Sequence, residues 1–139
     1  MYGKDAKHMI LSTGQINSIA KGVDHWTVGP EGGLIPQRYT TQQLEVYRAN
    51  ERRLRNAGAS TGVRLEFSTD ADAFRMAFRV FRGETRNYFG LDLYVDGALY
   101  DHFRGLLTDP DHIDWEVALP GGKKTVTVYL PCSAGVEIL

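Results

Sequence analysis

Between residues 60 and 80 the sequence keeps a strict period of two. Val63, Leu65 and Phe67 alternate with Arg64, Glu66 and Ser68. After the break Thr69-Asp70-Ala71-Asp72, Phe74, Met76, Phe78 and Val80 alternate with Ala73, Arg75, Ala77 and Arg79. Only a half-buried strand uses that period, and short polar residues such as those of the break stabilise turns through side chain to backbone hydrogen bonds. The stretch therefore predicts an antiparallel hairpin, apolar on one face and ruled with arginine on the other. A lone hairpin is marginal in water, so the apolar face requires a second sheet.

The rest of the chain supplies strands for one. Residues 18–23 read as an edge strand, and 24–28 as a short strand ended by Gly29-Pro30-Glu31-Gly32-Gly33, where proline and glycines interrupt any ladder. Residues 34–38 follow, and Pro36 marks an edge or a strand end. Thr40 or Thr41 can cap one short helix over 42–50, with Leu44, Tyr47 and Leu54 on one face. Residues 82–87 are a loop. Residues 89–95 and 98–103 form a hairpin about Asp96-Gly97, because a type I′ turn needs positive φ. An aspartate-rich loop over 106–114 leads into strands at 115–119, 125–130 and 136–139. Eight or nine short strands at near-regular spacing predict an all-β fold: a two-sheet antiparallel sandwich, jelly-roll-like, with one short helix.

At 139 residues the chain fits a single domain, with 1–25 as a leader or edge segment. Cys132 is the only cysteine, which excludes an internal disulfide and fits a reducing compartment. There is no signal-peptide pattern and no apolar run of membrane length, so a cytoplasmic setting is expected. A net charge of -1 gives no field to gather nucleic acid or an anionic membrane. Arg48, Arg52, Arg53 and Arg55 form the densest positive patch. It reads either as an anion site or as the solvated end of a helix whose dipole the cations complement.

Catalytic signatures are sparse. The sequence has no Gly-x-Ser-x-Gly elbow and no glycine-rich phosphate loop with its lysine. Cys132 reads as structural. His8, His25, His102 and His112 show no spacing for zinc. Asp70, Asp72, Asp109, Asp111 and Asp114 offer hard oxygen ligands for calcium, but they also suit turns, and no cofactor is expected. Tyr88, Tyr94, Tyr100, His102, Trp115 and Tyr129 are the candidate ligand or docking face. Their rings either stack on sugar or bury against a neighbouring domain.

With the strands placed, four stretches carry a family resemblance: Pro36-Gln37-Arg38, residues 59–70 (ASTGVRLEFSTD), residues 89–97 (FGLDLYVDG), and residues 124–131 (KTVTVYLP) followed by Val136-Glu137-Ile138. From Trp26 onward the chain resembles the N-terminal β-sandwich domain of bacterial SGNH (GDSL-like) hydrolases, a family of esterases and acyltransferases. The family's Gly-Asp-Ser block is absent. Its Asp-x-x-His spacing occurs at Asp109 to His112 and again at Asp5 to His8, so no catalytic residue is carried over. The resemblance implies a non-catalytic accessory domain packing on, or shaping the substrate entrance of, an esterase- or lipase-like hydrolase domain beyond Leu139. The alternatives are a carbohydrate-binding module acting through exposed aromatics and an enzyme complete in this chain. Because the sequence stops inside an apparent strand, an uncovered terminal strand and self-association into a homodimer through 136–139 or the aromatic face are also expected.

Overall fold

The computed structural model describes residues 11–83, 86–132 and 134–139. His8, the Asp5 to His8 spacing, and Glu84 and Thr85 of the expected loop lie outside the described residues. In chain order the elements are α1 (Thr13–Ile19), β1 (Ala20–Lys21), β2 (His25–Val28), β3 (Leu34–Gln37), α2 (Thr41–Tyr47), α3 (Glu51–Ala57), β4 (Arg64–Thr69), β5 (Ala73–Arg82), β6 (Tyr88–Val95), β7 (Ala98–Leu106), β8 (His112–Ala118), β9 (Lys124–Tyr129) and β10 (Ala134–Ile138). The strands form two five-stranded antiparallel sheets, one ordered β1-β4-β9-β6-β7 and the other β2-β3-β10-β5-β8. This is the expected sandwich, and no described helix is long and apolar enough to cross a membrane.

The core lies where the alternation places it. Leu65, Leu91, Leu93, Val126 and Val128 from the first sheet meet Phe78, Val80, Trp115, Val117 and Val136 from the second, all buried. The expected hairpin over 60–80, however, is not a hairpin. β4 pairs with β1 and β9, while β5 pairs with β10 and β8. The 70–72 turn is an arch from one sheet to the other, and Phe67 and Phe74 stack across it at 6.0 Å. A period of two fixes which face of a strand is apolar but not which strand pairs with it. Two strands whose apolar faces oppose each other across a core satisfy the same pattern. The arch is pinned by Ala71 N–H to Thr69 Oγ1 at 3.0 Å and by Leu119 N–H to Asp72 O at 2.8 Å.

Asp96 (φ 50°) and Gly97 (φ 83°) turn β6 into β7 in the positive-φ conformation the sequence requires. The single helix expected over 42–50 is two. Thr40 Oγ1 caps α2 by accepting from Gln43 N–H, and Asn50 Oδ1 caps α3 by accepting from Arg53 N–H, so the chain starts a new helix at the residue expected to end the first. A third helix, α1, has the same Ser-x-x-Gln capping box, with Ser12 Oγ accepting from Gln15 N–H and Gln15 Oε1 from Ser12 N–H. Arg48 pairs with Glu45 at 3.2 Å and Arg55 with Glu51 at 3.8 Å on the exposed helix surface, contacts that contribute little to stability.

β3 lies inside its sheet rather than at the edge. Its register with β10 is the single pair Leu34 and Ile138, so Pro36, opposite Trp26 of β2, lies beyond that ladder. β10, the strand expected to be uncovered, lies in the middle of the second sheet between β3 and β5, and Leu139 N–H donates onward to Ala77 O at 2.9 Å.

Candidate functional site

The alternation of β5 points Arg79 away from the core, and the register sets Glu137 of β10 on one side of it and His112 of β8 on the other. A row of acid, base and imidazole therefore crosses the outer face of the second sheet. Glu137 is nonetheless completely buried, because the 29–33 loop between β2 and β3 folds over it. Its Oε1 accepts from Arg79 Nε and Nη2 at 3.1 and 3.0 Å, and its Oε2 accepts from Gly33 N–H at 2.8 Å and Glu31 N–H at 3.0 Å. Four donors saturate the carboxylate. The loop approaches so closely that a Cβ on Gly33 would overlap the Ile138 carbonyl oxygen, and one on Gly29 would overlap the Glu137 carboxyl group. The glycines are there for space.

Arg79 also lies 3.3 Å from Glu31 Oε2, and its guanidinium lies over the Phe81 ring at 5.1 Å. His112 continues the network, with Nδ1 2.8 Å from Asp111 Oδ1 and Nε2 2.6 Å from Glu31 Oε2. The cluster is an electrostatic clamp. A general base serving a nucleophile needs that hydroxyl or thiol in reach of its ring, whereas this ring meets carboxylates on both sides. Ser60, fully buried, instead sends its hydroxyl to the carbonyls of Pro131 and Ala134 at 2.7 and 3.0 Å. Cys132 is exposed, with Thr61 Oγ1 at 3.8 Å.

Burial pushes the Glu137 carboxyl up, but hydrogen bonds from Gly33, Arg79 and Glu31, with the charge of Arg79, outweigh it and hold the group below the ordinary glutamate value. A carboxyl lowered on folding stabilises the native state fully above its unfolded value, roughly 4.3, and loses that contribution as pH falls through the lowered native value. Urea unfolding between pH 7 and pH 3 is therefore expected to show a shallower acid decline of stability in Glu137→Gln than in the wild type. An identical slope in the two would remove Glu137 from the acid response.

The candidate face of six rings is dispersed. Tyr94 and Tyr129 meet edge to face at 5.6 Å on the first sheet. Tyr88 is half exposed, with the Arg86 guanidinium 5.5 Å from its ring centre. Tyr100 donates to Ala118 O at 3.0 Å across to the second sheet, and His102 lies opposite Asp92 on the edge strand β7. Trp115 leaves the group, since it is 6% exposed and packs on Phe74 and Phe103 in the core. Of the aspartates offered for calcium, Asp114 pairs with Arg75, Asp109 accepts from Leu106 N–H and Asp111 holds His112. Among the described residues no group of three or more such ligands is placed to hold a metal ion.

No family model matches the chain, and no curated protein matches it. Among solved structures it is similar to the salicylyl-acyltransferase SsfX3 from a tetracycline biosynthetic pathway, at 25% identity and a TM-score of 0.70, over 86% of this chain and 34% of that one. The chain thus spans about a third of that protein's length. This corrects the expected parent. The matching structure is named an acyltransferase, so the SGNH/GDSL hydrolase assignment, with its esterase chemistry and accessory role, is not supported. Neither is the carbohydrate-binding module.

Proposed function

We propose that this chain is the β-sandwich part of an acyltransferase-type protein, in which an acyl group passes from an activated donor to an acceptor. The observation that carries this reading is the likeness to a salicylyl-acyltransferase over 86% of the chain. The part of such a protein that this chain does not cover is the partner the sandwich packs against. The surface suited to that contact is the outer face of the first sheet, where the exposed Tyr129 meets Tyr94 edge to face, since tyrosine is enriched where protein surfaces meet.

The test uses the protein as encoded, with a salicylyl thioester as donor and a panel of hydroxylated acceptors, read by mass spectrometry. The expected product is acceptor plus one salicylyl group, with release of one equivalent of thiol. Folded protein that yields no acylated acceptor, or that releases thiol only to water, overturns the reading.

A further inference from the structure

The two nitrogens of His112 face three carboxylate oxygens: Nδ1 lies 2.8 Å from Asp111 Oδ1, and Nε2 lies 2.7 and 2.6 Å from Glu31 Oε1 and Oε2. An ionised carboxylate only accepts, and a neutral imidazole donates from one nitrogen alone. Both contacts are satisfied together only by the imidazolium. Glu31 reaches the ring from the 29–33 loop, far away in sequence, whereas Asp111 is the neighbouring residue at the entry to β8. Asp111 also helps to wall a shallow cleft of about 290 Å³ with Arg79, Arg82 and Asn87.

We propose that His112 is a proton-operated strap, which when charged ties the 29–33 loop to the start of β8 and when neutral keeps its one proton for the adjacent Asp111, releases Glu31 and lets the two segments separate. The groups facing it are Asp111 beside it, Glu31 from the loop, Arg79 from β5 and, through Arg79, Glu137 from β10. With His112 charged, two cations face three carboxylates. Without its proton, Arg79 alone faces all three, so repulsion between Glu31 and Asp111 adds to the lost hydrogen bond. The hydrogen bonds to Glu31, then to Asp111, raise the His112 pKa over the opposing effect of burial. A base raised on folding stabilises the strapped state below its ordinary value, and that contribution is lost as pH rises through the native value. Glu137 still holds the buried Gly33 N–H, so the loop loosens at Glu31 rather than unfolding. This inference is independent of the acyl-transfer reading.

The test is NMR of the folded protein from pH 5 to pH 10, following the His112 ring and the normalised exchange protection of two amides: Glu31, bonded to Glu137, and Val80, bonded to Asp111 O. Protection of both is expected to fall at least about threefold, with the midpoint of the ring's titration, and the step is expected to vanish in His112→Gln. Protection that does not change across that titration, or the same step in His112→Gln, overturns the strap. Should that variant fail to fold, Glu31→Gln leaves His112 one ionised partner. Its midpoint must then drop, and an unchanged midpoint is equally fatal to the proposal.

Discussion

Glu137→Ala is expected to lower the thermal midpoint by roughly 10 °C or more, because removing the fully buried member of the pair leaves the largely buried Arg79 with only the more exposed Glu31 beside it. Arg79 keeps its place with its side chain only 16% exposed, and the amides of Glu31 and Gly33 lose the acceptor beneath them. Two costs are involved, and they can be separated. Arg79→Met combined with Glu137→Leu removes both charges and is expected to recover part of the loss, but not all of it, since a leucine offers the two amides nothing. Glu137→Gln keeps an acceptor and the shape, and is expected to fall between wild type and alanine. Scanning calorimetry of the four proteins checks the order. An alanine variant within about 2 °C of wild type would show that the loop is held by something other than this carboxylate.

Phe78→Ala is expected to cost about 3–5 kcal/mol by chemical denaturation, with the slope of the transition unchanged. Phe78 is fully buried at the centre of β5 and meets Phe103 of the facing sheet edge to face at 6.5 Å. The cavity would lie between two sheets whose neighbouring residues are themselves ladder-bound, so little collapse is available to fill it. A loss under about 1 kcal/mol would mean that the sheets close up around the gap. Phe81, three residues on, makes a useful contrast because it points outward. It covers Gly135 so closely that an added Cβ there would overlap its ring, and it underlies Arg79.

Phe78 and Arg79 also mark how far sequence pattern reaches. The period of two assigns them to opposite faces correctly, because side-chain direction is a local property of a strand. Pairing is not local, and so the pattern that suggests a hairpin of β4 and β5 spans two strands of different sheets. Asp96-Gly97 is legible because few dipeptides accept two positive φ values in a row. Trp115 looks like a surface ring by residue type, yet it is in phase with Val117 and Leu119, both buried. The phase is the better guide, since it reports the face and the ring does not. The clamp is almost invisible in the sequence. Its only local trace is one acid between Val136 and Ile138, and its loop partners stand 104 and 106 residues away. Ser12 and Gln15, by contrast, form a readable capping box, obscured only by the weak periodicity of the region around them.

The place of β10 has a consequence for the order in which the molecule can assemble. β2 and β3 pair with each other early in the chain, but in their sheet they join the rest through β10, whose partners on its two sides are β3 and β5. During synthesis the early hairpin must therefore wait, with its inner side unpaired, until the last of these strands has been made. Closing a loop of about a hundred residues before any contact rewards it slows folding. The rate-limiting step should thus be the insertion of β10 between its neighbours, with the Glu137 carboxylate arriving at the same moment as the amides that require it.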